Sequence, residues 1–203
     1  MSRSVIIIAA LVAAALVAAA LVAVTAVLLA ALGHHRFGRG LKRRFGPEYE
    51  RLVTRHEGDT KAADRELGKR LKQHGSVRER PLSPASREQY AAQWAGIQRR
   101  FVDSPQESVA EADALLARLT SDRGFPADGP FEERLAALSV HHAQHVDGYR
   151  GLHGAAHGRV STEENRRAMT GAGELFDALV APHPADSGRH RPQRHHAGEG
   201  GTR

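Results

Sequence analysis

Ser83-Pro84-Ala85-Ser86-Arg87-Glu88-Gln89-Tyr90-Ala91-Ala92-Gln93-Trp94-Ala95-Gly96-Ile97-Gln98-Arg99-Arg100-Phe101 is the stretch that decides the fold. Its large apolar residues, Tyr90, Trp94, Ile97 and Phe101, recur at spacings of four, three and four, which places them on one face of an α-helix. Serine followed by proline supplies an N-cap and a residue whose fixed φ suits the first helical position. The aromatic stripe reads as a core face rather than a ligand pocket.

The same two signals repeat downstream. Ser104-Pro105-Gln106-Glu107 and Ser161-Thr162-Glu163-Glu164 have the serine and the N3 glutamate of a capping box, in which each side chain bonds the other's backbone N–H. The helix after Ser104 carries Val109, Ala112, Leu115, Leu116 and Leu119 and ends before Gly124. The one after Ser161 carries Met169, Ala172, Phe176, Leu179 and Val180 and ends before Pro182. Phe131, Leu135 and Leu138 mark a short helix, and Val146, Tyr149 and Leu152 a further one. No run alternates with period two. The prediction is an all-α fold, a compact bundle of five or six helices over residues 81–181.

Upstream, residues 35–80 read as a basic juxtamembrane segment followed by a charged helical stalk. Gly33, Gly38 and Gly40 make a flexible exit, and Phe45-Gly46-Pro47 starts a helix. From Asp59 to His74 the apolar line is only Ala63, Leu67 and Leu71, so narrow that it predicts a solvated stalk or a loosely lying arm. Binding of a partner helix is the sharper alternative. Carboxylates beside Lys or Arg at helical spacing, such as Glu66 and Arg70, read as solvated ion pairs.

Residues 1–34 read as an anchor. From Val5 to Leu32 the only polar residue is Thr25, among twelve alanines and fifteen Val, Ile or Leu. About 20 apolar residues cross a bilayer core, whereas the apolar part of a cleaved signal peptide runs roughly 7 to 15. The expectation is therefore a single-pass transmembrane helix, with export after signal cleavage as the alternative. Lys and Arg stay on the cytoplasmic side, and Arg36, Arg39, Lys42, Arg43 and Arg44 outweigh Arg3. This places the domain in the cytoplasm, with the basic cluster against anionic lipid headgroups. Residues 182–203, rich in Pro, Gly, Arg and His, cannot bury enough apolar surface to order themselves and read as a disordered basic tail.

The net charge of +6 invites a nucleic-acid reading. The excess, however, sits beside the anchor and in the tail, and the stretch between them holds slightly more acid than base. A fold that binds phosphate backbones carries its basic surface on the folded face, so no nucleic-acid partner is expected. Absence of cysteine excludes disulfides, thiolate metal sites and cysteine nucleophiles, and fits a reducing compartment. No serine lies in a GxSxG elbow and no glycine run forms a phosphate-binding loop. His141, His142 and His145 form an HHxxH run, and His141/His145 and His153/His157 stand four apart, as metal-binding pairs on a helix do. The zinc-protease pattern needs glutamate where His142 stands, and no acidic ligand lies at a fixed spacing nearby. No metal, cofactor or catalytic residue is expected. The tail histidines His183, His190, His195 and His196 would hold nickel or zinc only adventitiously.

Pro81-Leu82-Ser83-Pro84, Arg87, Tyr90, Trp94, Gln98, Phe101-Val102-Asp103, Ala112-Asp113, Arg123-Gly124-Phe125-Pro126, Leu138-Ser139-Val140, Tyr149-Arg150, His153 and Ser161-Thr162-Glu163 carry a resemblance. Over residues 45–180 the chain is similar to a family of actinobacterial membrane-anchored proteins of about this size, often labelled secreted or membrane proteins. The resemblance implies an anchored helical domain and no particular activity. In that family the positions matching His142 and His153 are histidine, those matching His141 and His145 usually are not, and proline usually stands where this chain has Ala143. The polar residues it singles out are Gln98, Arg134, His142, Arg150 and His153, either as a shared binding site or, preferred here, as an internal hydrogen-bond network joining helices. The functional expectation is a non-enzymatic, membrane-tethered interaction domain with a protein partner. A metal- or small-molecule-responsive sensor is the alternative.

Overall fold

The computed structural model describes residues 21, 22, 24, 25 and 38–182, and every regular element among them is helical. A helical stretch over residues 38–45 leads into α1 (Pro47–Arg55), α2 (Thr60–His74), α3 (Pro84–Arg100), α4 (Pro105–Asp122), α5 (Phe131–His141), α6 (Val146–His157) and α7 (Thr162–Val180). The fold is all-α. The chain divides into two compact units, one ending at Lys69 and one starting at Arg70.

In the first unit Leu41, Phe45, Tyr49 and Leu52 fall on one helical face that continues through the turn at Gly46 (φ 49°), and all four are buried. Pro47 takes the first helical position as expected, with Glu48 and Glu50 in the first turn, where the helix dipole favours acids. A turn with positive φ at Glu57 (54°) and Gly58 (91°) reverses the chain. Asp59 then accepts from the backbone N–H groups of Lys61 (2.9 Å) and Ala62 (3.1 Å) at the start of α2. These bonds, Ala62's above all, lower its carboxyl below the usual range. Glu66 on α2 takes His56 Nε2 at 2.8 Å and Arg55 at 3.4 Å. The apolar line of α2 departs from the solvated stalk it suggested, since Ala63 and Leu67 are fully buried and Leu71 is half-buried. Stripe width measures how much a helix can bury, not whether something lies opposite it.

Arg39, Lys42, Arg43 and Arg44 are exposed, and Lys42 pairs with Glu50 at 2.8 Å. Arg36, most of the Val5 to Leu32 segment and the tail from residue 183 lie outside the described residues. Leu21, Val22, Val24 and Thr25 are helical, and the Thr25 hydroxyl lies 2.9 Å from the carbonyl oxygens of Leu21 and Val22. Among the described residues no helix is long and apolar enough to cross a membrane.

The second unit is the bundle. α4 lies at its centre, packed on α3, α6 and α7, while α6 and α7 form the most extensive helix pair. Leu115, Leu116 and Leu119 of α4 are fully buried, each burial worth roughly 1.5–3 kcal/mol. Trp94 of α3 stacks on Phe176 of α7, ring centroids 4.6 Å apart, so the aromatic stripe is core as expected. The chain joins this unit before α3 begins, with Arg70 donating to Ser139 Oγ (3.2 Å) and His141 Nε2 to the His74 carbonyl (3.0 Å).

Two of the three expected caps form. Ser83 accepts from Ser86 N at 3.0 Å. Ser161 accepts from Glu164 N at 3.2 Å, and Glu164 accepts from Ser161 N at 2.8 Å, closing the box. At Ser104 the backbone sits at φ −138°, ψ 72°, outside the extended region an N-cap needs, and its side chain makes no cap bond. Ser161→Ala is expected to cost about 1 kcal/mol, read as a lower urea midpoint with Trp94 fluorescence as the reporter. Ser104→Ala should leave the midpoint in place.

Candidate functional site

The HHxxH run does not share a helix face, which corrects the expected i, i+4 pairing of His141 with His145. α5 ends at His141, His142 is its C-cap (φ −127°, ψ 43°), and His145 is the N-cap of α6. His153 and His157 do lie one turn apart on α6.

His153 Nδ1 stands 3.0 and 3.2 Å from the two carboxylate oxygens of Asp113, which α4 carries only 9% exposed. His157 Nδ1 lies 3.9 Å from Asp113 Oδ2 and donates to the His153 carbonyl at 2.9 Å. The His153 ring stacks on Phe131 of α5, centroids 3.6 Å apart and 9° from parallel, and Phe131 meets Tyr149 edge-on at 5.2 Å. Tyr149 is fully buried; burial pushes its hydroxyl up to about 12, with the Asp113 charge adding to the rise and Arg134 opposing it. Arg134 donates to that hydroxyl (3.4 Å) and to the carbonyls of Pro126 (3.4 Å) and Ala127 (3.2 Å). One wall of the bundle thus carries a carboxylate, two imidazoles and a buried phenol joined through Phe131.

His142 belongs to a different constellation. Its Nε2 meets Glu79 Oε1 at 2.9 Å, and Glu79 Oε2 takes Arg123 Nη2 at 2.6 Å. Arg123 is 2% exposed and also donates to the Arg80 carbonyl at 2.8 Å, while the Arg80 N–H donates back to the Arg123 carbonyl. Phe125 presents its ring to both His141 and His142. Gly124 follows at φ 92°, a conformation L side chains rarely adopt. The set pins the segment before α3 to the end of α4.

Of the five polar residues picked from the sequence, Arg134 and His153 belong to one cluster and His142 to the other. Arg150, half-buried on α6, pairs with Asp147 at 2.6 Å, and Gln98 is exposed on α3. The residues that sequence reasoning missed are the acids, Asp113 and Glu79. Asp113 did leave a signal, because it stands four after Val109 and three before Leu116, where the period of α4 calls for an apolar side chain. Glu79 lies in a non-helical segment with no period to break.

A scan against models of protein families, a search of curated proteins and a search of solved structures each return no match.

Between α3 and α4 an open groove of about 630 Å³ is lined by Ala92, Gly96, Ile97 and Ala114 with Gln89 and Gln93 beside them. Its rim holds Arg100, ion-paired with Glu111, and Arg118, which donates to Gln93 Oε1 at 3.3 Å. No nucleophile with an adjacent base lines it.

Proposed function

We propose that this chain is a membrane-tethered, non-enzymatic interaction domain that receives a helix of a partner protein in the α3–α4 groove. The observation that carries this reading is the groove itself. Ala92, Gly96 and Ala114 in its lining leave room for a helix to approach, and two arginines against one glutamate favour a partner helix with acidic flanks. The apolar segment from Val5 to Leu32 supports the tether, and Arg36, Arg39, Lys42, Arg43 and Arg44 support a cytoplasmic domain held near anionic headgroups, each charge worth about 1 kcal/mol. Tethering raises the local concentration of the groove at the membrane.

The test joins a topology reporter at the C-terminus, the mass of the membrane-bound chain, and a photocrosslinker at Ala92. The expected result is an uncleaved chain with a cytoplasmic C-terminus and one discrete crosslinked protein, lost in Gly96→Glu. A Cβ at Gly96 meets nothing closer than 3.5 Å, and an unchanged urea midpoint for Gly96→Glu serves as its folding control. An exported or shortened chain overturns the location. A turnover activity abolished by one polar substitution overturns the non-enzymatic assignment.

A further inference from the structure

We infer that Asp113, His153 and His157 form a site for a divalent transition metal of the zinc class, joining α4 to α6. Among the described residues these three are the set whose ligand atoms, one from each, all lie within 4.8 Å of one another. Tetrahedral ligands at about 2.0–2.1 Å from zinc stand roughly 3.3 Å apart, and the two separations from Asp113 Oδ2, 3.0 Å to His153 Nδ1 and 3.9 Å to His157 Nδ1, bracket that value.

The surroundings favour the ion as well. Without a metal His157 Nδ1 donates to the His153 carbonyl at 2.9 Å; ligation through Nδ1 exchanges that hydrogen bond for the coordinate bond and moves the ring proton to Nε2 of this exposed side chain. The stack on Phe131 fixes the plane of the His153 ring. Asp113 lies on the inner side and His157 is exposed, so the ion has an entry path and room for a fourth ligand from solvent. Two imidazoles and one carboxylate match Zn2+ and its Co2+ surrogate. Calcium and magnesium take oxygen ligands almost exclusively.

The test uses the full chain in detergent, with the histidines outside the described residues (His34, His35, His183, His190, His195, His196) replaced by glutamine to remove adventitious binding. Co2+ titration should give the visible bands of a tetrahedral ion saturating at one equivalent, and Zn2+ should displace it and raise the melting temperature. In His157→Gln, a surface substitution that leaves the fold intact, Co2+ affinity should fall at least tenfold and the zinc-dependent melting shift should disappear. Asp113→Asn should do the same, with metal-free melting serving as its folding control. Absence of a Co2+ spectrum in the parent, or equal affinity in His157→Gln, overturns the site.

Discussion

Gly148→Ala should destabilise the bundle by about 3 kcal/mol or more, a larger effect than overpacking usually produces. An alanine in a helix interior normally gains 0.5–1 kcal/mol or so over glycine, because glycine loses more freedom on folding. Here the added Cβ would fall 2.1 Å from the Gly171 carbonyl oxygen and 2.3 Å from its carbon. Both are backbone atoms of α7, so no side chain can swing aside and the two helices must separate. The α6–α7 pair is the largest helix contact in the unit, so separation loosens Tyr149, Leu152, Leu175 and Phe176 together. Gly151 and Gly154 on the same helix are controls, because a Cβ at either meets nothing within 4 Å. Their alanine variants should gain up to about 1 kcal/mol. Urea unfolding read at Trp94 separates the three; a Gly148→Ala midpoint equal to that of Gly151→Ala would show that the helices do not approach as closely as described.

That contact between α6 and α7 leaves no mark in the sequence, unlike the local signals. Helix starts were readable where the signal is local: Ser83-Pro84 and Ser161 with Glu164 form the caps their spacing predicts. Ser104 has the same letters and fails, because a cap also needs an extended backbone and ψ there is 72°. The break after His141 was hidden because His142-Ala143-Gln144 holds no proline or glycine to announce it. The polar clusters were not legible because they are non-local. Asp113 and His153 are 40 residues apart and Glu79 and His142 are 63 apart. Gly148 and Gly171 are ordinary helix glycines until the two helices are laid against each other. Periodicity finds the faces of helices, but not which faces meet.

Glu79→Gln should cost about 3 kcal/mol, in the range measured when one partner of a buried ion pair is removed. Arg123 is the largest fully buried side chain, and Glu79 is its only carboxylate partner within ion-pair reach among the described residues. Neutralising Glu79 leaves a guanidinium in the core with carbonyl bonding alone. Glu79→Gln combined with Arg123→Met should restore much of the loss, since the pair's attraction is largely offset by its desolvation. The pH dependence follows from the same contacts. Burial alone would raise the Glu79 carboxyl, but the hydrogen bond and charge of His142 and the Arg123 guanidinium pull harder and hold it at about 2. An unfolded glutamate titrates near 4.3 or so, so the folded state binds this proton less readily than the unfolded state. The contribution is therefore fully present above about pH 5 and is lost as the pH falls towards 2. Urea midpoints measured down that range should drop more steeply for the parent than for Glu79→Gln, and the two curves should converge at the acid end. Parallel curves would mean that the carboxylate contributes nothing to stability, and Arg123 would then be held by the Arg80 carbonyl alone.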